Sequence, residues 1–293
     1  MPESIAPASS IDAATRMGPV RLLVEDLDTM LTYYRDVLAL EPIREDGATH
    51  VLGRGGVETM SLTPSAGLPA FDRRGAGLFH TAVLFDSEPG LAAAVARVAQ
   101  AAPRSYTGSA DHLVSKAFYF DDPEGNGVEL YWDRARTDWQ RDAAGRPLMG
   151  TEYIDANGYL EQHLTEGEFS SPVARASVGH VHLQVGDIPT AKRFYVDVMG
   201  FDEIFDMGTA LFVSAGGYHH HVGLNTWNSR GAGPRAASLG LGRMDLVLPT
   251  PDAVAALRSR LAFAGVAIED DGREITFSDP WGTRIRARVE DAS

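Results

Sequence analysis

The sequence predicts an α+β fold in which four copies of a strand–helix–three-strand module (βαβββ) pair into two curved-sheet barrels. The first observation behind this is an internal repeat: at an offset of 161 residues, six of the fourteen positions that start at Val24 are identical to those that start at Val185. The second is that the segment opened by Gly77 matches the one opened by Gly240. One module is too small to bury its own core, so the copies are expected to pair around a cavity.

The first module begins with a short strand, after which Asp26 caps an amphipathic helix because its carboxylate can accept the first free backbone N–H groups. Its elements are predicted at residues 20–24, 27–38, 50–52 and 58–62. The second module begins with strand 77–85 and continues with an alanine-rich helix, 90–101. The third and fourth modules repeat this order from Gly179 and Gly240.

The chain divides into two domains of two modules each, separated by a polar connector and preceded by an Ala/Ser-rich leader that we predict to be disordered. The predicted boundaries are 1–17 for the leader, 18–133 for the first domain, 134–177 for the connector and 178–290 for the second domain.

Composition excludes several classes of protein. With 26 basic and 40 acidic residues among 293, the net charge of −14 argues against a nucleic acid or an anionic membrane as partner. The absence of cysteine excludes disulfides, zinc ribbons and iron–sulfur sites. The leader lacks the basic start and apolar run of a secretory signal, and no segment is apolar enough to span a bilayer. We therefore expect a cytoplasmic protein.

The second module ends in two strands joined by the turn segment 121–127, which contains Pro123 and two glycines. On the second of these strands apolar side chains occupy one face, while Glu129 and Tyr131 share the other. A carboxylate among apolar neighbours is costly to bury unless it is paired or binds a metal. The strand alone leaves two interpretations open, a solvent-facing Glu129 or a functional one.

The repeat resembles the vicinal oxygen chelate superfamily, which includes glyoxalase I, bleomycin-resistance proteins and the type I extradiol dioxygenases. The residues that carry the resemblance are Phe-Tyr-x-Asp-Val-x-Gly-Phe at 194–201 and Asp-Pro-x-Gly at 122–125 and 279–282. It covers residues 18–289 apart from the connector. The resemblance is specific for the fold and much less so for the activity.

The resemblance implies metal ligands on the first and last strands of paired modules. Those positions hold Pro19, His80, His180 and Arg243 on first strands, and Glu129 and Arg286 on last strands. Only His80, His180 and Glu129 can ligate a metal. Two imidazoles and one carboxylate form the facial triad typical of non-haem Fe(II), and the same triad binds Mn(II).

This ligand set also predicts how the modules pair. If the second module pairs with the third, all three ligands fall in one barrel, and the first and fourth modules form a metal-free companion barrel. Any other pairing separates His180 from the other two ligands.

Further histidines and a tyrosine suggest oxygen chemistry by the same resemblance. The run 218–225, expected on the last strand of the third module, places a His-His pair where extradiol dioxygenases keep an acid–base group. By that resemblance His221 is the acid–base candidate, His220 would face the opposite side, and Tyr119 is an active-site tyrosine. His112 and His182 are candidates for contacting the substrate or supporting the site, and His182, on the same strand face as His180, is also an alternative ligand. Taken singly, Tyr119 could be an ordinary core residue, and the run 219–221 could be a fortuitous metal-binding patch on the surface.

The resemblance therefore implies an extradiol ring-cleaving dioxygenase that acts on a catechol-type vicinal diol with Fe(II) and O2, and it looks most like the catechol 2,3-dioxygenases. Two alternatives remain open: a glyoxalase-like metal-dependent isomerase or lyase, and a metal-free protein that binds a small molecule such as an antibiotic. We expect a small aromatic diol and O2 as partners, no nucleic acid or membrane, and a homo-oligomer.

Overall fold

The computed structural model describes residues 10–290, and within them each module contains one strand, one helix and three further strands. The strands are β1 Arg16–Val24, β2 Glu41–Asp46, β3 Thr49–Arg54, β4 Val57–Pro64, β5 Gly77–Phe85, β6 Tyr106–Asp111, β7 Ser115–Asp121, β8 Gly127–Asp133, β9 Ala176–Gln184, β10 Asp202–Asp206, β11 Ala210–Ser214, β12 Val222–Asn225, β13 Gly240–Leu248, β14 Ile268–Asp270, β15 Glu274–Ser278 and β16 Arg284–Val289. The helices are α1 Leu27–Leu31, α2 Glu88–Ala101, α3 Ala156–His163, α4 Glu166–Ser170, α5 Ile188–Lys192 and α6 Pro251–Phe263.

The strands of the second and third modules, β5 to β12, form one half of the sheet, which we call the site half. Those of the first and fourth modules, β1 to β4 and β13 to β16, form the companion half. The first strands pair antiparallel at the centre of each half, β5 with β9 and β1 with β13. The α+β class is confirmed, but the two separate barrels are not seen: among the described residues the strands form one continuous, open sheet. A single pair, Arg54 opposite Ala176, joins its halves.

Strand alternation gives the sheet one apolar and one polar face. On β16, for example, Ile285 and Ala287 are fully buried in the hydrophobic core, whereas Arg286 and Arg288 lie on the other face. The core side chains of both halves belong to one apolar cluster, which includes Leu22 of β1. The opposite face is therefore free to carry polar groups, and the candidate site lies there.

The helix predicted at 27–38 begins where expected, but only its first part is α-helical. Asp26 caps it by accepting the Thr29 amide at 3.0 Å, and after Leu31 the chain continues as π-helix through 32–37. The third module repeats both features, with Asp187 as the cap and a π-helical segment at 193–198. Such π-helical turns are rare, so the repeat has kept an unusual local structure as well as a sequence pattern.

The predicted disordered leader was too long. Its residues 1–9 lie outside the described residues, but Ile11 is buried and donates its amide to Gly200 O at 2.7 Å, and β1 starts at Arg16. The connector 134–177 is also more structured than its polarity suggests, because it contains α3 and α4 and buries Trp139 and Tyr159. Within residues 10–290, none of the helices has the length and apolar character needed to cross a membrane.

Candidate metal centre and active site

Three ligand-type side chains meet at the middle of the site half. Ala82 on β5 is paired with Glu129 of β8 on one side and with His180 of β9 on the other, and His80 lies two residues before Ala82 on the same face. Glu129 Oε2 lies 2.9 Å from His80 Nε2 and 3.0 Å from His180 Nε2. One ligand atom from each residue lies within 4.8 Å of the others. The strand register alone is enough to bring these residues together.

The protonation states and the geometry of this group fit a divalent metal ion. Burial opposes ionisation of Glu129, but the two imidazoles outweigh it and hold its pKa well below the usual value, while burial lowers the pKa of His180 to about 4. An ionised carboxylate and an unprotonated imidazole are the forms in which Glu129 and His180 would bind a metal. His80 Nε2 is enclosed and makes no aligned hydrogen bond, although Glu129 is adjacent. An enclosed lone pair of this kind requires a partner.

Glycines next to the ligands allow the three strands to pack closely. A Cβ on Gly127 would lie 2.2 Å from Phe79 O and 3.0 Å from the His80 Cβ. A Cβ on Gly179 would lie 1.6 Å from the Tyr131 hydroxyl. Both distances are far below contact, so larger residues at these positions would displace the strands that hold His80 and His180.

Tyr119 stands beside the carboxylate, because β7 pairs it directly with Glu129. Its hydroxyl lies 2.7 Å from His112 Nε2, and His112 Nδ1 lies 2.7 Å from Gly150 O. Since a carbonyl only accepts, Nδ1 carries the proton and Nε2 accepts from the tyrosine. Burial and the Glu129 carboxylate raise the pKa of Tyr119 well above 10, so the phenol stays protonated.

The histidine run is placed differently from the prediction. It lies in the loop before β12, which starts only at Val222, so the alternation of a strand does not apply to it. His220 lines the cavity described below, with its ring centroid 4.0 Å from that of His180. His221 does not line this cavity: its Nδ1 accepts the Ala215 amide at 3.1 Å. His220 therefore borders the cavity, and His221 does not.

Behind His220 is a chain of hydrogen bonds that the sequence analysis missed. Asp133 Oδ1 accepts from His219 Nε2 at 2.9 Å, and His219 Nδ1 lies 2.8 Å from His220 Nδ1. With its proton on Nε2, His219 accepts through Nδ1, so His220 donates from Nδ1 and keeps a lone pair on Nε2. Asp133 could have been found in the sequence, because strand alternation puts it on the same face as Glu129 and Tyr131.

A cavity of about 750 Å³ opens onto these groups. Its wall is largely aromatic and apolar, and it includes segments far apart in the chain: Phe79, Met149, Phe205, Phe212 and Trp227. His182 also lines it, in edge contact with the rings of Phe79 and Trp227, and its buried Nε2 has no hydrogen-bond partner among the described residues. A mostly apolar wall with a few convergent polar groups is typical of small-molecule sites.

Comparison with known proteins places the chain in a family. The model of the Glyoxalase/Bleomycin resistance protein/Dioxygenase superfamily matches residues 16–130 and 177–287. The chain belongs to this superfamily. Among curated proteins it is 37% identical to catechol-2,3-dioxygenase of Bacillus subtilis (strain 168) over 279 residues, which cover 93% of this chain and 96% of that protein. The predicted family is thereby confirmed, and this superfamily member is an enzyme of the dioxygenase kind, an oxidoreductase.

Solved structures show the same fold. Glyoxalase I from Zea mays matches with a TM-score of 0.58 and 17% identity, over 94% of this chain and 92% of that one. The cppA protein from Streptococcus pneumoniae TIGR4 matches with a TM-score of 0.56 and 12% identity, over 94% and 99%. At these identities the likeness concerns the architecture only.

Proposed function

We propose that this superfamily member is an extradiol ring-cleaving dioxygenase that acts on a catechol-type vicinal diol with Fe(II) and O2. The observation that carries the proposal is the group of His80, Glu129 and His180 at the wall of an apolar cavity, in a chain 37% identical to a protein named catechol-2,3-dioxygenase. Three protein ligands on one side leave coordination positions for a diol and for dioxygen.

The three residues would hold the metal through His80 Nε2, His180 Nε2 and the Glu129 carboxylate. When bound, Fe(II) supplies Lewis acidity, which lowers the pKa of a coordinated phenol, and electrons for the reaction with O2. A triad of this type also suits Mn(II), so the identity of the metal is to be measured on the isolated protein.

His220 is the acid–base group in this proposal. Its Nε2 keeps a lone pair because Nδ1 donates to His219, and burial together with the neighbouring histidines lowers the pKa of His220 well below 6.5, so the neutral imidazole is present at pH 7. It accepts the second diol proton and later returns it to the product. Asp133 and His219 act as positioning residues, since they fix the orientation and the protonated nitrogen of His220. Such general catalysis contributes about 10²–10⁴-fold.

Tyr119 donates a hydrogen bond to a diol oxygen. Its raised pKa keeps the proton on the hydroxyl, and His112 holds that hydroxyl in place through a bond that a substrate oxygen can replace. Phe79, Phe212 and Trp227 bound the space in which the aromatic ring would lie, and they limit access of water to the reacting atoms.

The proposal is tested by oxygen uptake. Catechol, 3-methylcatechol and protocatechuate are added to protein loaded anaerobically with Fe(II), and the visible absorbance of a ring-opened product is followed. We expect O2 consumption and a yellow product with at least one diol. One bound iron per chain without uptake on this panel would argue against diol cleavage.

The ligand assignment is tested by His80→Ala, with His50→Ala as matched control, because His50 lies on β3 outside the cluster. His80→Ala removes one of three ligands, so we expect loss of bound iron and of activity together, while the control retains both. Metal content by mass spectrometry and the rate of O2 uptake are measured on the same samples. Stoichiometric iron in His80→Ala would overturn the assignment.

A further inference from the structure

The companion half carries arginines at the positions that repeat those of the site. At the repeat offsets, Arg243 corresponds to His80 and Arg286 to Glu129, and Arg21 corresponds to His182. These side chains lie on the face opposite the core, because the alternating neighbours Leu22, Met244 and Ile285 are fully buried in it. Where the site half gathers groups suited to a cation, the companion half gathers guanidinium groups.

One carboxylate sits within this cluster, and it is already engaged. Asp245 is fully buried and accepts from Arg243 Nε at 2.8 Å and from Arg286 Nε at 3.0 Å. Arg286 is also bonded to Glu274, at 3.2 Å. Both carboxylates are thus hydrogen-bonded to arginines other than Arg21.

Arg21 has no directly bonded partner among the described residues, although the carboxylates of Asp245 and Asp46 act on it from a distance. It pairs directly with Arg243 across the antiparallel strands β1 and β13, so their side chains are neighbours on one face. Yet the Arg21 side chain makes no hydrogen bond or ion pair with any residue of the range 10–290, and its Nε is enclosed. Burial, followed by the charges of Arg243 and Arg286, lowers the pKa of Arg21. A partly buried cation beside two like charges is costly unless an anion offsets it.

We propose that this face of the companion half binds a small oxyanion, a carboxylate or a phosphate, through the guanidinium of Arg21 with Arg243 alongside. A guanidinium presents two parallel N–H groups that match a pair of carboxylate or phosphate oxygens, and such charge-assisted bonds are the strong ones. The anion supplies the direct hydrogen-bonded partner that Arg21 lacks among the described residues.

The test is isothermal titration of the metal-loaded full chain with phosphate and, separately, with succinate, against chloride at matched ionic strength. We expect saturable binding of at least one oxyanion by the wild type. Arg21→Gln should lose it, Arg21→Lys should weaken it about tenfold because the planar fork is lost, and the exposed Arg74→Gln should bind as the wild type does. Binding of phosphate alone assigns a phosphoryl ligand, and binding of succinate alone assigns a carboxylate.

Thermal unfolding without added oxyanion gives a second readout that does not depend on the ligand chosen. Removing a partly buried cation that lies beside two like charges and has no bonded partner should raise the melting temperature of Arg21→Gln above that of the wild type, and saturating oxyanion should then stabilise the wild type but not the variant. The proposal is overturned if the wild type shows no saturable binding of either anion, or if Arg21→Gln binds them with unchanged affinity.

Discussion

His220 and His221 are adjacent in sequence but present their nitrogens to different surroundings. His220 lies against His180 and lines the cavity, while His221 accepts a backbone amide from Ala215, and burial lowers the pKa of His221 to about 3. The first arrangement leaves a basic nitrogen for a substrate. In the second arrangement, His221 Nδ1 accepts the Ala215 amide and so holds the loop that carries residues 219–221.

Phenylalanine at each position should separate these roles. His220→Phe is expected to keep its metal and lose turnover by about 10²–10⁴-fold, because only the acid–base group is removed. His221→Phe leaves the Ala215 amide unpaired, so it should lose about 1–3 kcal/mol of stability while each folded molecule keeps nearly normal turnover. Measurements are metal content, kcat and urea unfolding. A larger loss of kcat in His221→Phe than in His220→Phe would reverse the assignment.

The meeting of His80, Glu129 and His180 was predictable, because the family resemblance assigns them to first and last strands of paired modules and alternation then puts them on one face. The orientation of the histidines at 219–221 was not predictable in this way, because these residues form a loop before Val222, where strand alternation does not apply. No periodicity links Asp133 to His219 either, since one ends a strand and the other lies in that loop. Loop residues are positioned by packing against distant parts of the chain, which the order of residues does not disclose.

At the level of elements, the site depends on how closely β9 approaches the side chains of β8. The Tyr131 hydroxyl lies against Gly179 and within 2.8 Å of the Tyr218 hydroxyl, and the Tyr131 ring is in contact with that of His180, with centroids 4.9 Å apart. Tyr218 in turn donates to Asp133 at 2.7 Å. Gly179, the residue before His180, therefore also affects the position of Tyr218 and of Asp133, the carboxylate to which His219 donates.

Gly179→Ala should push Tyr131 away. This would disturb both its contact with the His180 ring and its hydrogen bond to Tyr218. We expect a loss of about 1–3 kcal/mol from overpacking, together with weaker metal binding, because His180 follows directly. Gly167→Ala is the matched control: it lies in α4 with open space around it, so alanine should be neutral or slightly stabilising. Urea unfolding and metal titration check both variants. Wild-type metal affinity in Gly179→Ala would show that the close contact is not needed for the site.

Several residues of the cavity wall could not be predicted from the pattern of strands and helices. Met149 comes from the connector, Phe205 from an edge strand of the third module and Trp227 from the segment after β12. Each belongs to a part of the chain whose path is set by the whole fold. Substituents on a substrate ring would contact these residues. For this reason the sequence predicts the class of substrate better than it predicts the substituents on the ring.

At the scale of the whole molecule, two buried Tyr–Asp hydrogen bonds tie the halves together. Tyr34, in the π-helical segment of the first module, donates to Asp122 of the second at 2.9 Å, and Tyr195 donates to Asp279 at 3.0 Å. Each bond joins a companion-half module to a site-half module, and both come from the repeat that the sequence shows. The repeat thus encodes the docking of modules as well as their individual folds.

Tyr34→Phe should weaken this docking, since it removes a donor from a buried carboxyl oxygen. We expect a loss of about 1–3 kcal/mol in the free energy of unfolding. The neighbouring Tyr33 is a close control, because it is also buried but its hydroxyl has no hydrogen-bond partner among the described residues. Tyr33→Phe should therefore be neutral or stabilising. Urea unfolding of the two variants measures the difference, and equal stability in both would mean that the Tyr34–Asp122 bond contributes nothing to holding the halves together.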